Sequence, residues 1–149
     1  MTDAVNPRGA IDPEKITRDF ESTVRFLISD GVSLPEETLG RLREYGELVI
    51  DRSAAYNLIG PADRERFFTR HITESLSAPL VELARLENNL VDIGSGAGLP
   101  GIPLAIAIPE LKALLVEPRP RKVQFLEMAV FKLGLADRVE VFQGSADAL

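Results

Sequence analysis

Apolar side chains return at helical spacing three times before any strand signal occurs. From Pro13, the positions Ile16, Phe20, Val24, Leu27 and Ile28 form one stripe, with Asp12 placed to cap the first turn and Asp30-Gly31 to stop the last. A second helix is predicted from near Pro35, with Ser33 as candidate N-cap and Leu39, Leu42, Tyr45, Leu48 and Val49 inward. Glu36 and Glu37 fall in its first turn, where carboxylates suit the positive end of the helix dipole. After the break Tyr56-Asn57-Leu58-Ile59-Gly60-Pro61, a third helix is expected from about Asp63 through Arg85. Its inward positions would be Phe67, Phe68, Ile72, Leu76, Leu80 and Leu83, with a kink or division at Pro79.

The texture changes at Asn89. Leu90-Val91-Asp92-Ile93 reads as a short strand, followed by a glycine cluster and an apolar helix to about Ala107. Ala113–Val116 is a second strand, Arg121–Leu133 a helix with Val123, Leu126, Val130 and Leu133 on one side, and Val139–Phe142 a third strand. Strands alternating with helices of this length predict a parallel sheet, because parallel neighbours need crossover connections. The expected organisation is α/β: a frayed stretch over 1–12, a helical region over 13–88, and a strand–helix unit over 89–149.

Composition narrows the function classes. A chain of 149 residues that is 45% hydrophobic supports one ordinary core. It has no cysteine and one histidine, His71, so a thiolate nucleophile is excluded, and a metal site or a histidine-centred triad is not expected. No run approaches the ~20 apolar residues that span a bilayer, and the opening residues lack a basic-then-apolar leader, which points to a soluble cytoplasmic protein. Seventeen basic against twenty-three acidic residues give a net charge of -6, so any contact with nucleic acid must be local.

The candidate chemistry lies in Asp92-Ile93-Gly94-Ser95-Gly96-Ala97-Gly98-Leu99-Pro100-Gly101. Glycines let a chain leaving a strand turn with positive φ and let a ligand approach the backbone, and the following helix offers free N–H groups. Gly96, Gly98 and Gly101 satisfy a dinucleotide spacing; Gly94, Gly96 and Gly98 satisfy a tighter one with Asp92 just ahead. Charge separates them: a dinucleotide brings an anionic pyrophosphate, whereas S-adenosyl-L-methionine brings an ammonium and a sulfonium, which an acid favours. Asp92 has a structural alternative, capping nearby N–H groups. Glu117 ends the second strand where an acid accepts from ribose hydroxyls, for either cofactor. Arg119 and Arg121 read as a solvated helix start, or as partners of a 2′-phosphate in the dinucleotide case. Ala146 and Asp147 follow the third strand and can wall an adenine. Two other classes remain in view: an NAD(P)-binding oxidoreductase fragment, and a non-catalytic interaction module.

The run Asp92–Ala105, with its Gly98-Leu99-Pro100-Gly101-Ile102-Pro103-Leu104 continuation, resembles the first motif of the small-subunit ribosomal RNA methyltransferase G family, formerly glucose-inhibited division protein B. Ala55-Tyr56-Asn57-Leu58, Arg70-His71-Ile72 with Ser75-Leu76, Leu115-Val116-Glu117 and Val123-x-Phe125-Leu126 also fit, so the similarity runs from about Tyr45 to the end. The resemblance implies a Rossmann-like class I methyltransferase fold, of which these are the first three strands. It also implies methyl transfer from S-adenosyl-L-methionine to N7 of a guanine in 16S rRNA of the small ribosomal subunit, by a protein that is a monomer if full-length. Carried over by position, Gly94 and Leu99 fall on the cofactor loop, and Ala146 with Asp147 on the adenine site; Gly96, Gly98, Asp92 and Glu117 come from the residues themselves. No catalytic side chain is expected, since guanine N7 already carries a lone pair. Family members continue through more strands and a further cofactor-contacting arginine without counterpart here. The expectation is therefore a retained cofactor site with low or absent activity, and a glycine-loop strand at the sheet edge exposing Leu90, Val91 and Ile93.

His71 and Arg70 read as packing and surface residues beside Phe67, Phe68 and Ile72, with RNA or loop contact as the alternative. Asn57 reads as a cap for the third helix or a stitch to the glycine loop.

Overall fold

Asp12 starts the first helix as its spacing predicts: in the computed structural model, which describes residues 11–149, its carboxylate accepts from the Glu14 N–H at 3.0 Å and α1 runs Pro13–Ser29. Most of the stretch expected to fray, residues 1–10, lies outside the described residues. Gly31 adopts φ +85°, so its N–H reaches the Ile28 carbonyl (3.1 Å) and that of Val32 the Leu27 carbonyl (2.8 Å), a glycine-dependent helix stop. The second helix, α2, spans Glu36–Tyr56. Ser33 does not cap it: Pro35 holds the cap position without a side-chain bond, the first-turn acids Glu36 and Glu37 supplying the favourable charge. Asn57 ends α2 in the left-handed conformation (φ 54°), so it closes this helix and does not open the next.

The expected third helix is not continuous. Pro61–Arg66 form a 3₁₀ turn, Phe68–Ile72 a π turn that runs into α3 (Thr73–Ser75), and α4 (Ala78–Glu87) begins separately, with Pro79 in its first turn. Proline lacks the N–H that would carry the helix through, and it biases Ala78 away from the helical interior. The wide turn has a tertiary cause. The Asp19 carboxylate on α1 accepts from the N–H of Phe68 (2.8 Å) and Thr69 (3.4 Å) and from the Thr69 hydroxyl (2.6 Å), drawing these groups out of the helical ladder. Phe67, Phe68, Ile72 and Leu76 are buried as expected, and Leu80 partly; Leu83 is 55% exposed, because the break rotates α4.

Three parallel strands follow, β1 (Asn89–Ile93), β2 (Lys112–Glu117) and β3 (Val139–Gln143), in the order β1-β2-β3, joined by α5 (Gly101–Ala107) and α6 (Pro120–Lys132). Asp92 lies opposite Leu115, and Glu117 opposite Gln143. Parallel strands joined by helical crossovers make this a Rossmann-like α/β arrangement. Strand β1 is an edge; Val91 (53%) and Ile93 (58%) are exposed, whereas Leu90 packs against the core on the other face. One apolar core runs from Leu42, Tyr45 and Val49 through Phe67 and Phe68 to Ile102, Leu115, Phe125 and Leu126, so the helical region and the sheet unit share their interior. Two arginines stitch across it: Arg41 donates to the Leu133 carbonyl at the end of α6, and Arg121 to the Ala55 carbonyl at 2.8 Å.

Candidate cofactor site

The carboxyl ends of all three strands converge, which is where open parallel sheets bind ligands. Gly94, Gly96 and Gly98 take φ of 74°, 56° and 97°, conformations that residues with a Cβ adopt at a cost, so the loop between β1 and α5 is built from the residues that permit it. Its N–H groups are used inward. Gly94 and Ser95 donate to the Val116 carbonyl (2.8 and 3.2 Å), Gly98 and Leu99 to the Ser95 carbonyl (2.7 and 3.2 Å), and Ile102 to the Gly98 carbonyl (2.7 Å). The outer side is open: a Cβ at Gly94 would meet nothing within 4 Å, and one at Gly96 only the Gly94 carbonyl at that limit. Gly101 serves a different end, since a Cβ there would lie 2.4 Å from Leu115 Cδ2 and 2.8 Å from Asp92 Oδ2.

Two buried carboxylates line the loop. Asp92 Oδ2 accepts the Gly101 N–H at 3.0 Å, and Glu117 Oε2 the Gly96 N–H at 3.3 Å. The capping alternative read for Asp92 is thus present in the structure. It also bears on the ligand, because the helix N–H that a pyrophosphate would take is already held by an acid of the chain. Arg121 is exposed at the start of α6, as read, and it also donates to the Ala55 carbonyl and lies 5.9 Å from the Tyr56 ring centroid. Ala146 and Asp147 form an exposed turn after β3. The structure therefore brings Asp92, Gly94, Gly96, Gly98, Leu99 and Glu117 into one loop cluster, with Ala146 and Asp147 at the same end of the sheet.

Burial pushes the Asp92 carboxyl pKa up, with the Glu117 charge adding to it, against the lowering effect of the Gly101 N–H. The folded chain thus holds this proton to higher pH than the unfolded chain does. Its stabilising effect is full below the unfolded pKa and is lost as pH rises through the folded one. Urea midpoints should accordingly fall as pH is raised through the acid range above the ordinary carboxylate value, and Asp92→Asn should remove that part of the slope. Equal slopes in both chains would assign it to another group.

His71 is packed: its ring centroid lies 5.5 Å from that of Phe67, its Nε2 is buried without a hydrogen-bond partner, and burial pushes its pKa down, so it is neutral near pH 7. Arg70 stays exposed, 3.5 Å from Asp63. One residue of the cluster was missed from the sequence. Tyr45, fully buried on α2, donates its hydroxyl to the Ala97 carbonyl in the glycine loop at 2.7 Å. The signal was available, since a tyrosine inside an apolar stripe needs a partner for its hydroxyl.

Residues 38–148 match the family model described as GidB, rRNA small subunit methyltransferase G. Among curated proteins named ribosomal RNA small subunit methyltransferase G, that of Nocardioides sp. is 40% identical over 149 residues, all of this chain and 53% of the relative. That of Mycolicibacterium paratuberculosis is 44% identical over 73% of this chain and 42% of its own. That of Frankia casuarinae is 40% identical over 72% and 40% respectively. The chain spans about half the length of the curated relatives it matches. The C-terminal domain of precorrin-6Y C5,15-methyltransferase from Rhodobacter capsulatus aligns over 48% of this chain and 41% of that one at 26% identity, with a TM-score of 0.38, too loose a likeness to carry an argument.

Proposed function

Since the chain belongs to the rRNA small subunit methyltransferase G family, we propose that it forms the S-adenosyl-L-methionine-binding part of an enzyme that methylates N7 of a guanine in 16S rRNA, in the bacterial cytoplasm. The observation that carries this reading is the pair of buried acids, Asp92 and Glu117, on either side of a glycine loop whose outer side is open. A cationic methyl donor fits such a site, and a pyrophosphate would be repelled by it.

Gly94, Gly96, Gly98 and Leu99 would cradle the methionine end, with Asp92 supplying the negative field opposite its ammonium. Glu117 would accept from the ribose hydroxyls, and Ala146 with Asp147 would border the adenine. When bound, the cofactor supplies a methyl group on a positively charged sulfur. The chain's own contribution is orientation, because guanine N7 presents a lone pair without loss of a proton, and holding the reacting atoms in line accounts for much of such a rate. No general base is needed. The helical region over 13–88 and the sheet unit over 89–149 are read as two parts of this one site.

Calorimetric titration separates the cofactor classes: S-adenosyl-L-methionine is expected to bind, and NADPH binding in its place would overturn the reading. Transfer of labelled methyl to small subunits lacking the modification, compared between this chain and a version extended past Leu149, tests the substrate. Label appearing only in other RNA or in a small molecule would move the substrate class.

A further inference from the structure

We propose that Tyr45 is a positioning residue for the methyl-donor loop: from the helical region, its hydroxyl fixes the Ala97 carbonyl and holds the glycine turn in its receptive shape. The proposal rests on the cofactor reading above. A loop with glycines at 94, 96 and 98 has more backbone freedom than any other segment of the site, and needs an external restraint at its middle. Ala97 is that middle residue, 5% exposed, and the Tyr45 hydroxyl is the partner of its carbonyl at 2.7 Å. The donor is itself fixed. Tyr45 sits on the 21-residue α2, is wholly buried, and meets the edge of the Phe67 ring at a centroid distance of 6.0 Å.

Chemistry also keeps the hydroxyl a donor. Burial, and then the Asp92 charge, push the phenol well above its ordinary pKa, so it stays protonated throughout the neutral range. Removing the hydroxyl leaves a buried carbonyl without a partner, and the loop gains by turning that carbonyl toward water. The receptive population falls, and apparent affinity falls by the same factor. Tyr45 acts through Ala97, with no contact of its own to the reacting atoms. The helical region thereby takes part in the cofactor site and does more than cover the sheet.

Tyr45→Phe keeps the ring and deletes only the donor. S-adenosylhomocysteine binding by calorimetry should weaken about tenfold. Amide exchange at Gly98 and Leu99 should quicken by a similar factor while β2 amides keep their rates. Ser53→Ala, on the same helix, removes a hydroxyl that serves only Ile59, and should lower thermal stability with affinity kept within about twofold. Unchanged affinity and unchanged loop exchange in Tyr45→Phe overturn the proposal, as does a uniform rise in exchange across the sheet, which marks a merely structural bond. If the unsubstituted chain binds no donor, the cofactor reading fails by itself, and the loop-amide rates of the two chains still decide the clamp.

Discussion

Gly98→Val is expected to abolish measurable binding of S-adenosyl-L-methionine and to destabilise the chain by about 2–5 kcal/mol. Two independent costs add. Gly98 adopts φ +97°, where a β-branched residue is strained by about 1–3 kcal/mol. The new Cβ would also lie 2.5 Å from Ile102 Cδ1, 2.9 Å from Ile102 Cγ1 and 3.2 Å from Leu126 Cδ2, which forces repacking worth about another 1–2 kcal/mol. Ile102 can rotate away from the clash. The backbone cannot escape the φ constraint without breaking the bonds from Gly98 N–H to Ser95 and from Ile102 N–H to Gly98, so the loop itself must deform. Calorimetry for binding and urea unfolding for stability check the two parts separately. Retained affinity in a folded Gly98→Val chain would refute the assignment of this loop to the cofactor.

Phe67→Ala should have the largest effect on stability, about 3–5 kcal/mol out of the roughly 5–15 kcal/mol available to a domain. Phe67 is wholly buried, and its ring contacts Tyr45, Phe68 and His71 at centroid distances of 6.0, 5.6 and 5.5 Å. Because the same core continues to Leu115 and Phe125, the loss should move probes on β2 and on α1 together, in a single transition at lower denaturant. Two separated transitions would show that the helical region and the sheet unit unfold independently. The variant also loosens the packing behind Tyr45, so donor affinity should weaken with it.

Much of this was legible along the chain. The Asp12 cap, the Gly31 stop, three strands and both crossover helices follow from spacing and turn chemistry, which act over a few residues. The loop residues from Asp92 to Gly101 and the acid Glu117 were likewise visible, because positive φ and close approach leave glycine as their trace. Other features depend on partners far away in sequence. The helix expected from Asp63 widens into a π turn where Asp19, on a distant helix, holds the Phe68 and Thr69 N–H groups, and Arg121 bonds the Ala55 carbonyl beside Tyr56. The division before Pro79, which turns Leu83 outward, is by contrast local.

Local chemistry, then, dictates where this backbone coils, extends and bends, since propensity, capping and glycine geometry depend only on near neighbours. Tertiary structure alone decided which polar groups distant in sequence meet. The Tyr45 hydroxyl at Ala97 and the Glu117 carboxylate at Gly96 are paired by burial, which leaves a polar group no water and makes the nearest complementary atom its partner.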